Sequence, residues 1–188
     1  MRHRIFIAIN FPENVKKKLS EYENKWLELP CRWTKKENLH ITLAFLGYIS
    51  DEELVEICKI TKEVASKHEP FFINLNKIIY GPPKKPPRMV WAEGEKSEEL
   101  GKLQKDLENS LSGLSTELES EEGRGYTPHI TLGRLKLWEF RQIEPEERPE
   151  VNEEIFLTFD VSSIEVMESQ LKRGGPEYTI LESCSLSS

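Results

Sequence analysis

One four-letter string occurs twice in this chain, and the repetition limits what the chain can fold into. Residues 40–43 read His-Ile-Thr-Leu, and residues 129–132 read His-Ile-Thr-Leu again. The 188 residues hold only four histidines, and His40 and His129 open the two strings. On a strand, alternate side chains share a face. His40 and Thr42 therefore point one way, and Ile41 and Leu43 the other. The same parity sets His129 and Thr131 against Ile130 and Leu132. Each string predicts a half-buried strand with its apolar members in a core and an imidazole beside a hydroxyl on the open face.

The residues ahead of each string repeat the pattern. Residues 4–9 are short, β-branched and apolar, which predicts a strand. Pro12 suits the first turn of a helix, and Val15, Leu19, Tyr22 and Trp26 fall at helical spacing up to about residue 29, where Pro30 stops it. Residues 88–92 predict a second such strand. Ser97 caps the helix that follows, with Leu100, Leu103, Leu107 and Leu111 as its stripe. Two strand-helix-string units half a chain apart predict an old duplication, packed as pseudo-twofold halves with the strings facing each other.

Other elements fit around these units. Residues 32–34 predict a short strand. Ser50 with Glu53 predicts a capping box opening a helix. Residues 71–80 read as a strand, and the Pro-rich basic stretch 81–87 as a stiff loop. Residues 117–125 read as an acidic loop, and 138–152 as an irregular segment with room for a turn of helix. Two closing strands are predicted at 155–167 and 178–184, with a turn at Gly174-Gly175-Pro176 and a frayed tail from residue 185.

Two opposed His-x-Thr faces would put two imidazoles and two hydroxyls around one small volume. Phosphate oxygens accept hydrogen bonds from hydroxyls and from a protonated imidazole, so a phosphate suits that volume. Two histidines across a phosphate also make an acid–base pair near neutral pH, and no metal is required. A single histidine on a strand is ordinarily structural; the recurrence is what points to chemistry here. Zinc, the competing use of two histidines, normally takes a third protein ligand at short spacing, and the sequence offers none. His3 and His68 read as surface residues.

Strict alternation turns Arg134 away from the open face, unless Gly133 permits a bulge. It reads equally as a phosphate clamp or a surface ion pair. Phe6 and Trp91 lie on the first strands of the two units, and each reads as core or as a platform for a base. Lys84, Lys85 and Arg88 offer a local basic patch or a solvated loop.

Composition narrows the setting. With 26 Lys and Arg against 33 Asp and Glu, the net charge is -7, so no global field draws the chain to nucleic acid. An RNA ligand would be met locally, at an end. Three cysteines without Cys-x-x-Cys spacing predict reduced thiols and a cytoplasmic setting. The apolar run after Arg2-His3-Arg4 is too short for a signal peptide, and no stretch approaches a membrane span.

These features resemble the 2H (two-histidine) phosphoesterase superfamily, and within it the RNA 2′,3′-cyclic phosphodiesterases, also named 2′-5′ RNA ligases. The resemblance covers almost the whole chain. It runs through residues 4–9 with Pro12, and His40-Ile41-Thr42-Leu43 followed by Phe45-Leu46-Gly47. It continues through Pro128-His129-Ile130-Thr131-Leu132-Gly133-Arg134 and closes on Glu168-Ser169, Leu171, Gly174 or Gly175, and Tyr178. It implies one bilobal α+β domain over residues 1–188: two pseudo-symmetric lobes of mainly antiparallel sheet, outer helices and a central cleft. It implies hydrolysis of an RNA or nucleoside 2′,3′-cyclic phosphate to a 2′-phosphate, without metal or other cofactor. His40 would donate a proton to the leaving 3′ oxygen, and His129 would activate water. Thr42, Thr131 and Arg134 would hold the phosphate; Phe6 is expected at the substrate from its place on the first strand. RNA ends, tRNA among them, are the implied partners of a monomeric enzyme. Competing expectations are 2′-5′ ligation of tRNA halves, a small-molecule or 2′-5′ oligonucleotide phosphodiesterase, and an RNA-end binding module without catalysis.

Overall fold

Every strand in the computed structural model, which describes residues 1–114 and 127–187, belongs to one of two antiparallel sheets. In chain order the strands are β1 (Arg2–Asn10), β2 (Cys31–Trp33), β3 (His40–Ser50), β4 (Phe71–Gly81), β5 (Met89–Gly94), β6 (His129–Leu135), β7 (Asn152–Val161), β8 (Ser163–Lys172) and β9 (Gly175–Ser185). The helices are α1 (Glu13–Glu21), α2 (Asp51–Ala65), α3 (Glu98–Leu111) and α4 (Leu137–Arg141). One sheet is ordered β3-β1-β8-β9 and the other β2-β6-β5-β4-β7.

The duplicated units are visible in this order. β1 pairs with β3 and β5 with β6, each pair antiparallel and each bridged by a helix. The apolar residues of both strings are buried: Ile41 and Leu43 on β3, Ile130 and Leu132 on β6. They join one continuous core with Ile5, Ile7 and Ile9 of β1, Leu100, Leu103, Leu107 and Leu111 of α3, and Ile57 and Val64 of α2. α2 starts on the predicted capping box, Ser50 Oγ accepting from Glu53 N and Ser50 N donating to the Glu53 carboxylate. At α3, Ser97 Oγ accepts from Leu100 N.

Several expectations need correction. The strand predicted at 155–167 is two strands in different sheets, broken at Ser162: β7 edges the second sheet and β8 joins β1 in the first. The cue was a change of parity, from buried Ile155, Phe159 and Val161 to buried Ile164 and Val166. α1 ends at Glu21, and a 3-10 segment carries the chain to Trp26, short of the predicted residue 29. The tail is not frayed through residue 187. Leu186 is buried and its N–H donates to Ser162 O at 2.8 Å. His3 and His68 are tied down as well. His3 bonds Glu168 and Asp51, and His68 bonds Asp106. The acidic loop 117–125 lies outside the described residues. No helix among those described is long and apolar enough to cross a membrane.

Candidate active site

On the face of β3 opposite its core residues, His40 is half-buried and Thr42 exposed; on β6, His129 and Thr131 are both half-buried. Each ring is held in the same way from two residues upstream. His40 Nδ1 lies 2.6 Å from Asn38 O, and His129 Nδ1 lies 3.4 Å from Thr127 O. A carbonyl only accepts, so Nδ1 carries the proton and Nε2 is left for chemistry. His40 Nε2 sits 3.0 Å from Thr42 Oγ1, which donates to it while the ring is neutral.

Both strings carry a bulge at the same letter. Ile7 pairs with Ala44 and Ala8 with Thr42, passing over Leu43; Val90 pairs with Gly133 and Trp91 with Thr131, passing over Leu132. One extra residue reverses the alternation beyond it. Arg134 is thereby turned onto the face of Thr131. Both side chains reach one sulfur: Arg134 Nη1 donates to Met89 Sδ at 3.5 Å and Thr131 Oγ1 at 3.9 Å. A thioether is a weak acceptor, so a phosphate oxygen would replace it readily. Gly133 is required at this bend: a Cβ there would come within 2.4 Å of Cys31 Sγ and 3.0 Å of Trp33 on β2.

The strands that carry the two strings come together. β3 contacts β6, and the positive charge of Arg134 acts on His40. A model of the LigT-like phosphoesterases matches residues 9–91. An RNA 2′,3′-cyclic phosphodiesterase of Thermotoga maritima is 31% identical over 187 residues, spanning 96% of this chain and 94% of that protein. This chain belongs to the LigT-like 2H phosphoesterases. The fold agrees. The crystal structure of TT0787 of Thermus thermophilus superposes with a TM-score of 0.81 at 30% identity, covering 97% of each chain. Escherichia coli LigT, in a crystal structure complexed with 3′-AMP, shares the fold at a TM-score of 0.78 and 23% identity over the whole of both chains.

Within this LigT-like phosphoesterase the two histidines have unlike surroundings. His40 is boxed by aromatics: Phe6 at 5.1 Å between centroids and Tyr178 at 5.2 Å, the latter edge-on. Burial pushes its pKa down, the bond to Asn38 O opposes this, and the charges of Lys16 and Arg134 push it down further. His129 instead stacks on Trp91, with centroids 4.0 Å apart and planes at 21°. Trp91 lies flat because residue 81 is glycine; a Cβ there would be 2.3 Å from the indole.

Phe6 does not line the open cleft, contrary to its expected place at the substrate. It is 2% exposed, covered by Phe45, Tyr178 and His40, and backed by Ala8 and Met167. It supports His40 from beneath. Three further residues at the site were given no role from the sequence. Tyr178 arrives on β9 opposite Ser169, and burial raises its pKa against the charges of Arg134 and Arg4. Met89 was hidden by its own blandness. Lys16 is buried on α1 with Nζ donating to Glu37 O at 3.0 Å, and burial lowers its pKa. An apolar-spaced lysine on α1, one residue after Val15, was the available cue. Among the described residues, no group of three or more His, Cys, Asp or Glu converges as metal ligands would. Burial holds the Cys31 thiol at about 12 and Cys184 at about 11, which keeps both as thiols.

Proposed function

We infer that this protein hydrolyses RNA 2′,3′-cyclic phosphate ends to 2′-phosphates by acid–base catalysis between His40 and His129. The observation that carries the reading is the matched presentation of the two rings. Both have Nδ1 anchored to a carbonyl two residues upstream, which leaves Nε2 for chemistry, and each strand carries a threonine two residues on. The relatives' shared activity supports it, the Thermotoga protein being an RNA 2′,3′-cyclic phosphodiesterase.

The cyclic phosphate sits between the strings. Thr42 and Thr131 donate to its non-bridging oxygens, and Arg134 leaves Met89 to add a charged donor. His129 Nε2 takes a proton from water as the water oxygen bonds to phosphorus. The bond from phosphorus to the 3′ oxygen breaks, and His40 Nε2–H returns a proton to that oxygen. One proton is removed and one supplied, so neither a metal nor a cofactor enters the balance. Both strings and Arg134 come from one chain, which supports a monomer as the working unit. Single-stranded RNA termini, those of tRNA fragments included, are the proposed substrates. Three free thiols fit a reducing compartment, for which we propose the cytoplasm.

The test is product analysis on a cyclic-phosphate oligoribonucleotide in EDTA. A 2′-phosphate product is expected, and His40→Ala and His129→Ala should each lower turnover by roughly 10²- to 10⁴-fold. A 3′-phosphate product, or near-normal turnover by either variant, would refute the assignment.

A further inference from the structure

Arg32 has no role in the chemistry above, yet its place in the sheet is unusual. It pairs directly with Arg134 across β2 and β6. Directly opposed residues of antiparallel strands project from the same face, so Arg32 stands on the cleft face beside the guanidinium that faces the phosphate. A second observation agrees on the direction. The space where a Gly133 Cβ would point is filled by Cys31 Sγ and the Trp33 ring, which pack against the core. The residue between them, Arg32, is turned the other way and is exposed.

Two like charges directly opposed destabilise a ladder. Neither Arg32 nor Arg134 forms an ion pair among the described residues, a property they share with the other described arginines; what sets this pair apart is that the two charges are directly opposed. Among the described residues the opposed arginines thus stand without a counter-charge that would relieve them. An anion bound over the pair would supply it. β2 is the edge strand of its sheet, so a ligand passing Arg32 runs outward to solvent.

We propose that Arg32 is a second phosphate subsite, which binds the phosphodiester on the 5′ side of the terminal nucleoside while Arg134 holds the cyclic phosphate. The cyclic group closes the 3′ end of an RNA, so the only neighbouring phosphate lies on the 5′ side. The substrate class is therefore an oligoribonucleotide with at least one internal phosphodiester. This rests on the cyclic phosphodiesterase reading above.

The experiment compares a nucleoside 2′,3′-cyclic phosphate lacking a 5′ phosphate with a dinucleotide ending in the same cyclic nucleoside. Wild-type protein should prefer the dinucleotide in kcat/KM. Arg32→Gln should lose about tenfold on the dinucleotide, mainly in KM, and stay near wild type on the mononucleoside. Arg32→Lys should recover part of the loss, because a point charge still serves a phosphate. The logarithmic salt slope for dinucleotide binding should flatten by about 0.7 in Arg32→Gln. Its Tm should hold or rise as the like-charge opposition is removed, where a structural role would lower it. Equal losses on both substrates, or no loss on either, overturn the proposal. If wild-type protein opens neither substrate, the phosphodiesterase reading fails instead, and binding decides the subsite. Arg32→Gln must then weaken a dinucleotide 2′-phosphate about tenfold more than a nucleoside 2′-phosphate, and equal weakening overturns it.

Discussion

Burial depresses the proton affinity of His40, whereas its proposed task needs an imidazolium. The two are reconciled by the substrate, whose negative charge favours the charged ring. The sign follows directly. A proton donor loses activity as pH rises through its pKa, and kcat/KM reports the free enzyme while kcat reports the complex. The alkaline limb assigned to His40 should fall below the ordinary value of about 6.5 in kcat/KM and move up in kcat. Coincident limbs would refute this account. Phe6 supplies a second check on the same ring. Removing a buried phenyl typically costs about 3–5 kcal/mol, and Phe6→Ala also admits water beneath His40. Chemical denaturation should register the loss, and NMR titration should place the His40 pKa nearer its ordinary value. A stable Phe6→Ala with weakened substrate binding alone would restore Phe6 to the open cleft.

At the level of elements, the string's parity was legible because Ile and Leu have one place to go in a two-sided strand. The bulge was legible only as an option that Gly133 permits, because it depends on how β5 and β6 align at Leu132 and on β2 lying close over Gly133. Arg134 was ambiguous for that reason alone. The β4–β5 pair has a similar hidden dependence at Gly81. Gly81→Ala must move the Trp91 ring, and overpacking of this kind costs about 1–3 kcal/mol. Turnover should fall more than the change in Tm implies, since the ring that moves is the one stacked on His129; a fall in Tm with full turnover would contradict this. His3 joins β1 to the start of α2 through Asp51 and to β8 through Glu168, at 2.8 and 2.7 Å. Hydrogen bonds to Glu168, then Asp51, raise its pKa. Its contribution to stability is therefore complete below the unfolded value of about 6.5. It is lost as pH rises through the folded pKa. Tm measured against pH should show this loss in wild type and not in His3→Gln; parallel curves would remove the clamp from the stability account.

Across the whole molecule, the duplication and the cleft could be read from residues 40–43 and 129–132 with the strand-helix units before them. The assignment of strands to sheets could not, because it reverses the chain order. β2 leaves the first unit to pair with β6 of the second, and β8 and β9 return from the far end to pair beside β1. Tyr178, which walls His40, entered only through the resemblance and without a role, for the same reason. That return has a consequence for biosynthesis. β1 precedes both strands that flank it but sits in the middle of its sheet, between β3 and β8. A nascent chain halted before Ser163 carries both histidines, both threonines and Arg134, yet one edge of β1 still has no neighbouring strand. Open edges of that kind invite pairing with other chains, and chaperones exist to shield them. β8 and β9 must therefore be made before the cleft can close around His40, so a chain cut at residue 162 should hold every proposed catalytic group and lack turnover.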